Sequence, residues 1–249
     1  MIAAALWAFW SLGFLISPNP AAPILPADWS IDYLTGHFEP AGHADFIVLE
    51  KGYASAGGMY LRRDALAAFK KMHAAAKKQG VNLLIISATR NFDKQKSIWE
   101  AKWSGERILS SGENAAIAYP NPEQRALKIM EYSAMPGASR HHWGTDIDLN
   151  NLSDQWFLKG PGKVIYAWLS AHASEYGFCQ PYSPKGPNRP EGYKEEKWHW
   201  SYVPIASQLM ETARKQLTNE QLKGFSGAET AVQIGVVKKY VLGVNTTCQ

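Results

Sequence analysis

Between Ser139 and Asp148 the chain reads SRHHWGTDID, with two adjacent histidines and two aspartates close together. The segment TDIDL alternates polar and apolar residues, the period of a strand. Ile147 and Leu149 then face a core, and Asp146 and Asp148 share the other face. Two carboxylates side by side repel unless a cation or hydrogen-bond donors lie between them. His141 precedes this strand across Gly144, so an imidazole and a carboxylate can converge on one cation. The competing pair, His142 with Asp146, is four residues apart and suits a helix. Gly144 and the β-branched residues after it disfavour a helix, so the spacing favours His141 with Asp148.

Zinc takes about four ligands, and a catalytic site keeps one position for water. A third protein ligand is therefore needed. His199 in EEKWHWSY meets the requirement, because Trp198 and Trp200 point to one side of a strand and His199 to the other. Glu196 stands three residues before it. In a regular strand that spacing puts the two on opposite faces, so Glu196 is expected on the bend entering the strand, where it reaches a water rather than the metal. Arg90 follows an apolar run, and its guanidinium there can hold a carboxylate through two parallel hydrogen bonds. His73 and His172 fall on amphipathic helices, and His37 and His43 in a loop with Gly and Pro; none is assigned a role.

Three blocks then carry a resemblance. SATRNFDKQ fits Ser-x-x-Arg-(x)4-Gln, SRHHWGTDID fits Ser-x-His-x-x-Gly-x-x-x-Asp, and EKWHW fits Glu-x-x-His. In this order, from Ser87 to Trp200, they resemble the D-alanyl-D-alanine carboxypeptidases, the VanY-type zinc peptidases. The resemblance implies a Zn2+ held by His141, Asp148 and His199, and Glu196 and Arg90 as catalytic residues. It also implies substrate contacts from Arg90, Gln95 and Ser139. The family usually has a small residue where Asp146 stands, which suggests Asp146 as a partner of a ligand rather than a ligand. The implied activity is hydrolysis of the terminal D-Ala-D-Ala bond of a peptidoglycan stem peptide. An L,D-carboxypeptidase, a D,D-dipeptidase, an endopeptidase of the stem, or a binding domain that uses zinc only for stability are the alternatives. The implied fold is the small α+β scaffold of lysostaphin-type peptidases and hedgehog domains.

The elements that must position these residues can be read along the chain. In 249 residues, 46% apolar, there is material for a sizeable core. A net charge of +4 does not call for a nucleic acid partner. Residues 1–16, MIAAALWAFWSLGFLI, carry no charge and read as a secretory signal or membrane anchor, with a buried helix as the alternative. Residues 17–27 form a Pro-rich linker, and 28–249 the peptidase domain. Export to the periplasm or cell envelope follows, with membrane association through the leader. Helices are expected over MYLRRDALAAFKKMHAAAKKQG, FDKQKSIWEAKW, NPEQRALKIMEYS, GKVIYAWLSAHASEYGF, IASQLMETARKQL and TNEQLKGF. The fourth should bury Val164, Ile165, Trp168, Leu169 and Tyr176. VNLLIISA reads as a fully buried strand, KWHWSYV as a strand that alternates aromatic and polar residues, and 104–120 as a polar loop. The result is an α+β fold, a small, mostly antiparallel sheet flanked by helices. Cys179 and Cys248 lack a metal-binding spacing; a disulfide and a buried thiol both fit.

Overall fold

The computed structural model describes residues 29–187 and 189–249. The expected leader and linker lie outside the described residues. An antiparallel pair, β1 (Phe46–Val48) and β2 (Tyr60–Arg62), leads directly into helix α1 (Arg63–Lys78). Next come β3 (Ile85–Ser87), α2 (Phe92–Trp103), α3 (Pro122–Ile129) and β4 (Asp146–Leu149). The remaining long elements are α4 (Gly160–His172), β5 (Phe178–Cys179), β6 (His199–Tyr202) and α5 (Val203–Gln216). The main sheet has the order β3-β4-β6-β5, with every neighbouring pair antiparallel. The fold is α+β, as expected.

Local signals account for several boundaries. Asn91 caps α2 by accepting the Lys94 N–H at 2.9 Å, and Asn121 caps α3 by accepting that of Gln124 at 3.0 Å. Past the end of α1, Gly80 is left-handed, and the Val81 N–H returns to the Ala76 carbonyl at 2.9 Å. This closure satisfies carbonyls that the helix end leaves open.

Elsewhere tertiary contacts move the expected bounds. Tyr60–Arg62 pairs with β1 instead of opening α1, because Leu61 is fully buried in the sheet pair. VNLLIISA is strand only over Ile85–Ser87, and it is not buried on both faces: β3 is a sheet edge, and Ile86 and Ser87 line a cavity. Val164 is 58% exposed. Gly162 packs so tightly on Trp156 that an added Cβ would lie 2.2 Å from its carbonyl oxygen, and this turns the buried face of α4 toward Ile165 and Leu169. TNEQLKGF forms one 3-10 turn, Asn219–Gln221, closed by reciprocal hydrogen bonds of Thr218 and Gln221. The tail is helical, over Thr230–Ile234 and Val237–Val241.

Two apolar clusters enclose the sheet. One packs α1 and α4 against Ile85, Ile147, Leu149, Trp198 and Trp200. The other joins residues of α2, α3, α5 and the C-terminal turns with Trp143. Cys179 of β5 is disulfide-bonded to Cys248, across a sequence separation of 69. A closed loop of that length restricts the unfolded chain by about 4 kcal/mol in the chain-entropy picture. Reduction is therefore expected to lower the urea unfolding midpoint of the intact protein. A midpoint that does not move on reduction would show that this closure adds nothing.

Candidate metal centre and active site

The strand register brings distant residues together. In the β4–β6 pair, Asp148 lies opposite His199, and Asp146 lies opposite Ser201. Directly opposed residues have Cβ atoms about 4.5–5.5 Å apart, so Asp148 and His199 share a face despite their separation in sequence. Ser87 of β3 lies opposite Asp148 on its other side. Ile147 and Trp200 occupy the reverse face and enter the core. The alternation expected for TDIDL and KWHWSYV is what the sheet uses.

His141 reaches the same place from a 3-10 turn, Arg140–Trp143, that ends at Gly144. Gly144 has φ +72°, and an added Cβ would sit 2.3 Å from the Phe46 ring. Only glycine fits both the conformation and the space, and this sharp turn sends the chain from His141 straight into β4. Ser139 caps the turn by accepting the His141 N–H at 3.3 Å.

Ligand atoms of His141, Asp148 and His199 all lie within 4.8 Å of one another, and all three residues are buried. Nδ1 of His141 is 2.8 Å from the Ala88 carbonyl oxygen. That nitrogen therefore carries the proton, and Nε2 presents its lone pair 3.4 Å from Asp148 Oδ1. Nε2 of His199 donates to Asp146 Oδ2 at 2.8 Å, which leaves Nδ1 facing Asp148 Oδ1 at 3.4 Å. Asp148 Oδ1 is itself buried with no hydrogen-bond partner. A buried acceptor left without a donor costs stability, and a shared cation at this point satisfies it. Two imidazole nitrogens and one carboxylate oxygen, each ring oriented by an acceptor behind it, suit zinc.

Glu196 stands on the bend before β6, with Oε2 3.1 Å from His199 Nδ1. Its carboxylate thus lies on the ligand side of the imidazole. Burial raises the Glu196 carboxyl above the usual range, a direction that suits proton transfer near neutrality. Burial alone would lower His199, but its contacts with Asp146 and Glu196 push it up to about 9. Asp148 is drawn the other way: burial favours its neutral form, but His141 and His199 hold it down at about 2. The same negative surroundings that hold a proton on His199 attract a divalent cation.

His142, the competitor of His141, has no place in this cluster. Its Nε2 accepts the Gly137 N–H at 3.1 Å, and its Nδ1 is 2.7 Å from the Arg90 carbonyl oxygen. Both nitrogens are committed, and burial pushes its pKa down to about 3. Its work is to tie the loop after β3 to the turn before β4.

Arg90 Nε donates to Gln95 Oε1 at 2.9 Å, and its Nη1 donates to Ser87 Oγ at 2.7 Å and lies 3.7 Å from Asp148 Oδ2. Gln95 Nε2 donates to the Ala134 carbonyl at 2.8 Å, so both ends of that amide are occupied. Arg90, Gln95, Ser139, His141, Asp148, Glu196 and His199 line a single cavity of about 1140 Å³. The spacing had not marked Arg140 and Ser201, which hydrogen-bond the two oxygens of Asp146 from either side. Ser201 carried a faint signal, since it follows His199 by two and so shares its face; Arg140 carried none.

Residues 58–205 match the family model described as VanY, D-alanyl-D-alanine carboxypeptidase. The chain is 30% identical over 181 residues to the YodJ protein of Bacillus subtilis, covering 68% of this chain and 56% of that one. It is 29% identical over 131 residues to a D-alanyl-D-alanine carboxypeptidase of Enterococcus faecalis, covering 53% and 44%. The chain thus spans about half the length of these curated relatives. Among solved structures it is similar to the LdcB LD-carboxypeptidase, 26% identical, covering 78% and 79% of the two chains at a TM-score of 0.49.

Proposed function

Because the chain belongs to the VanY D-alanyl-D-alanine carboxypeptidase family, we propose that it is a zinc-dependent D,D-carboxypeptidase acting on peptidoglycan stem peptides, with the substrate's terminal D-Ala-D-Ala bond as its target. The observation that carries the reading is the pairing of a His141–Asp148–His199 cluster with Glu196, whose Oε2 lies 3.1 Å from His199 Nδ1. A domain that used a metal only for stability would need no buried carboxylate there.

His141 Nε2, Asp148 Oδ1 and His199 Nδ1 are the atoms that would hold the ion. When bound, zinc acts as a Lewis acid that lowers the pKa of water from about 15.7 toward about 7 and polarises a carbonyl. Glu196 takes a proton from the attacking water and returns it to the leaving amine of D-alanine. Arg90 holds the free C-terminal carboxylate, and Gln95 and Ser87 fix the direction in which its guanidinium points. The hydroxyl of Ser139 has a proton to offer the same substrate, since its oxygen accepts from the His141 N–H. Residues 28–249 form the catalytic domain, and 1–27 its leader and linker. Export to the periplasm or cell envelope fits both the substrate and the Cys179–Cys248 bond, which persists in an oxidising compartment.

The test is product analysis by mass spectrometry, with zinc-loaded protein and synthetic stem penta- and tetrapeptides. Release of one D-alanine from the pentapeptide, with the tetrapeptide left intact, is expected. Release of the dipeptide D-Ala-D-Ala, or of D-alanine from the tetrapeptide, would move the assignment to a D,D-dipeptidase or an L,D-carboxypeptidase.

A further inference from the structure

Helix α2 presents Lys94, Gln95, Ile98 and Lys102 to the cavity. These positions fall on one helical face. Gln95 holds Arg90. Lys102 lies seven residues further along, roughly 10 Å of helix rise away.

The cations around this cavity differ in their partners. Lys128 pairs with Glu113 and Glu131, and Lys194 with Glu131. Arg90 faces Asp148. Lys102 is partly buried, and among the described residues no carboxylate lies within 4 Å of it. Its ammonium donates to the hydroxyl of Ser133, a neutral group that is itself buried and lines the cavity. Exposed Lys94 and Arg107 line the same cavity, also without a carboxylate within that distance among the described residues. Burial, with Arg107 beside it, pushes the Lys102 ammonium down to about 8. Glu196 acts on it only from beyond 4 Å, so a partly buried cation whose near partner is a neutral hydroxyl has room for a closer anion.

We infer that Lys102 receives a second carboxylate of the substrate, distinct from the C-terminal one held by Arg90. The inference rests on the peptidase reading above and narrows it to stem peptides with an acidic group upstream of the cleaved bond. An extended peptide advances about 3.3–3.6 Å per residue, so if the helix rise from Gln95 to Lys102 sets the spacing of the two carboxylates, roughly 10 Å corresponds to about three residues. In a stem pentapeptide two groups lie at that reach: the α-carboxylate of the γ-linked D-glutamyl residue, and the side-chain carboxylate of a diamino diacid at the third position. Both offer the same chemistry to an ammonium.

Three synthetic peptides separate the sources: L-Ala-γ-D-Glu-meso-diaminopimelyl-D-Ala-D-Ala, the same peptide with the glutamyl α-carboxyl amidated, and the same with L-lysine at position three. Calorimetry on zinc-loaded Glu196→Gln protein reads binding without turnover. One of the two modifications is expected to weaken binding by about tenfold to a hundredfold, the range of a charge-assisted hydrogen bond. Adding Lys102→Gln should remove that discrimination while leaving the affinity for the weaker peptide unchanged, and Lys102→Arg should keep most of it. Equal affinity for all three peptides overturns the inference, as does an equal loss for all three on Lys102→Gln, the mark of a structural role. Binding with the expected preference but no turnover by the wild type sinks the peptidase reading alone.

Discussion

Replacing Glu196 by glutamine is expected to lower kcat on a stem pentapeptide by about 10²–10⁴-fold, the range that a positioned general base supplies. The amide has the size of the carboxylate but cannot take up a proton. Its backbone should stay in place, because the Glu196 N–H donates to the Tyr182 carbonyl at 2.9 Å and does not depend on the side chain. The proposed ligands His141, Asp148 and His199 are untouched, so zinc stoichiometry by elemental analysis should equal that of the wild type. Retained zinc with lost turnover assigns Glu196 to chemistry rather than to assembly of the site. A loss of less than tenfold would mean that some other group moves the proton.

Asp146→Ala should have the second-largest effect, through metal affinity and stability together. The Asp146 carboxylate is fully buried and accepts from His199 Nε2 at 2.8 Å, Arg140 Nε at 3.1 Å, and the hydroxyls of Thr145 and Ser201, each at 2.7 Å. Burial would raise its pKa, but Arg140 and His199 outweigh that and keep the carboxyl ionised, well below the usual range. Alanine removes the acceptor that orients His199. Loss of such a partner typically costs 10–100-fold in metal affinity, readable by competition with a chelator. It also strands the Arg140 guanidinium, whose side chain is as fully buried as its partner. Breaking one side of a buried ion pair costs about 3–5 kcal/mol, visible in urea unfolding. The double variant Arg140→Met/Asp146→Ala should recover much of the stability and none of the zinc affinity. If Asp146→Ala alone binds zinc as the wild type does, the orienting role assigned to this carboxylate is wrong.

The residues that gather around the cavity were legible before the fold was known, because alternation and turn chemistry leave a local trace. Alternation over TDIDL and KWHWSYV assigns Asp148 and His199 to polar faces, and a glycine between a histidine and a strand marks a turn. Glu196 three residues before His199 cannot share its strand face, and the bend is where it stands. Caps at Asn91 and Asn121 and the closure at Gly80 are short-range hydrogen-bonding matters, settled within four or five residues. Such features depend on neighbours along the chain, and so the amino-acid order alone determines them.

Other decisions belonged to the tertiary structure, because they depend on residues fifty or more positions apart. The β4–β6 register, not any spacing, puts Asp148 opposite His199. Which nitrogen of each histidine faces the cluster follows from acceptors on other elements, Ala88 for His141 and Asp146 for His199. His142 and His141 are adjacent and chemically identical, and the contact with the Arg90 carbonyl, 52 positions away, commits the first to the framework. The pairing of Cys179 with Cys248 requires the C-terminus to return to β5. Lys102 is one lysine among several on a helix until the cavity forms beside it and, among the described residues, leaves no carboxylate within 4 Å of its ammonium. Sequence period states which face of an element is apolar; which distant face it meets, and which charges come together there, is set by packing the whole chain.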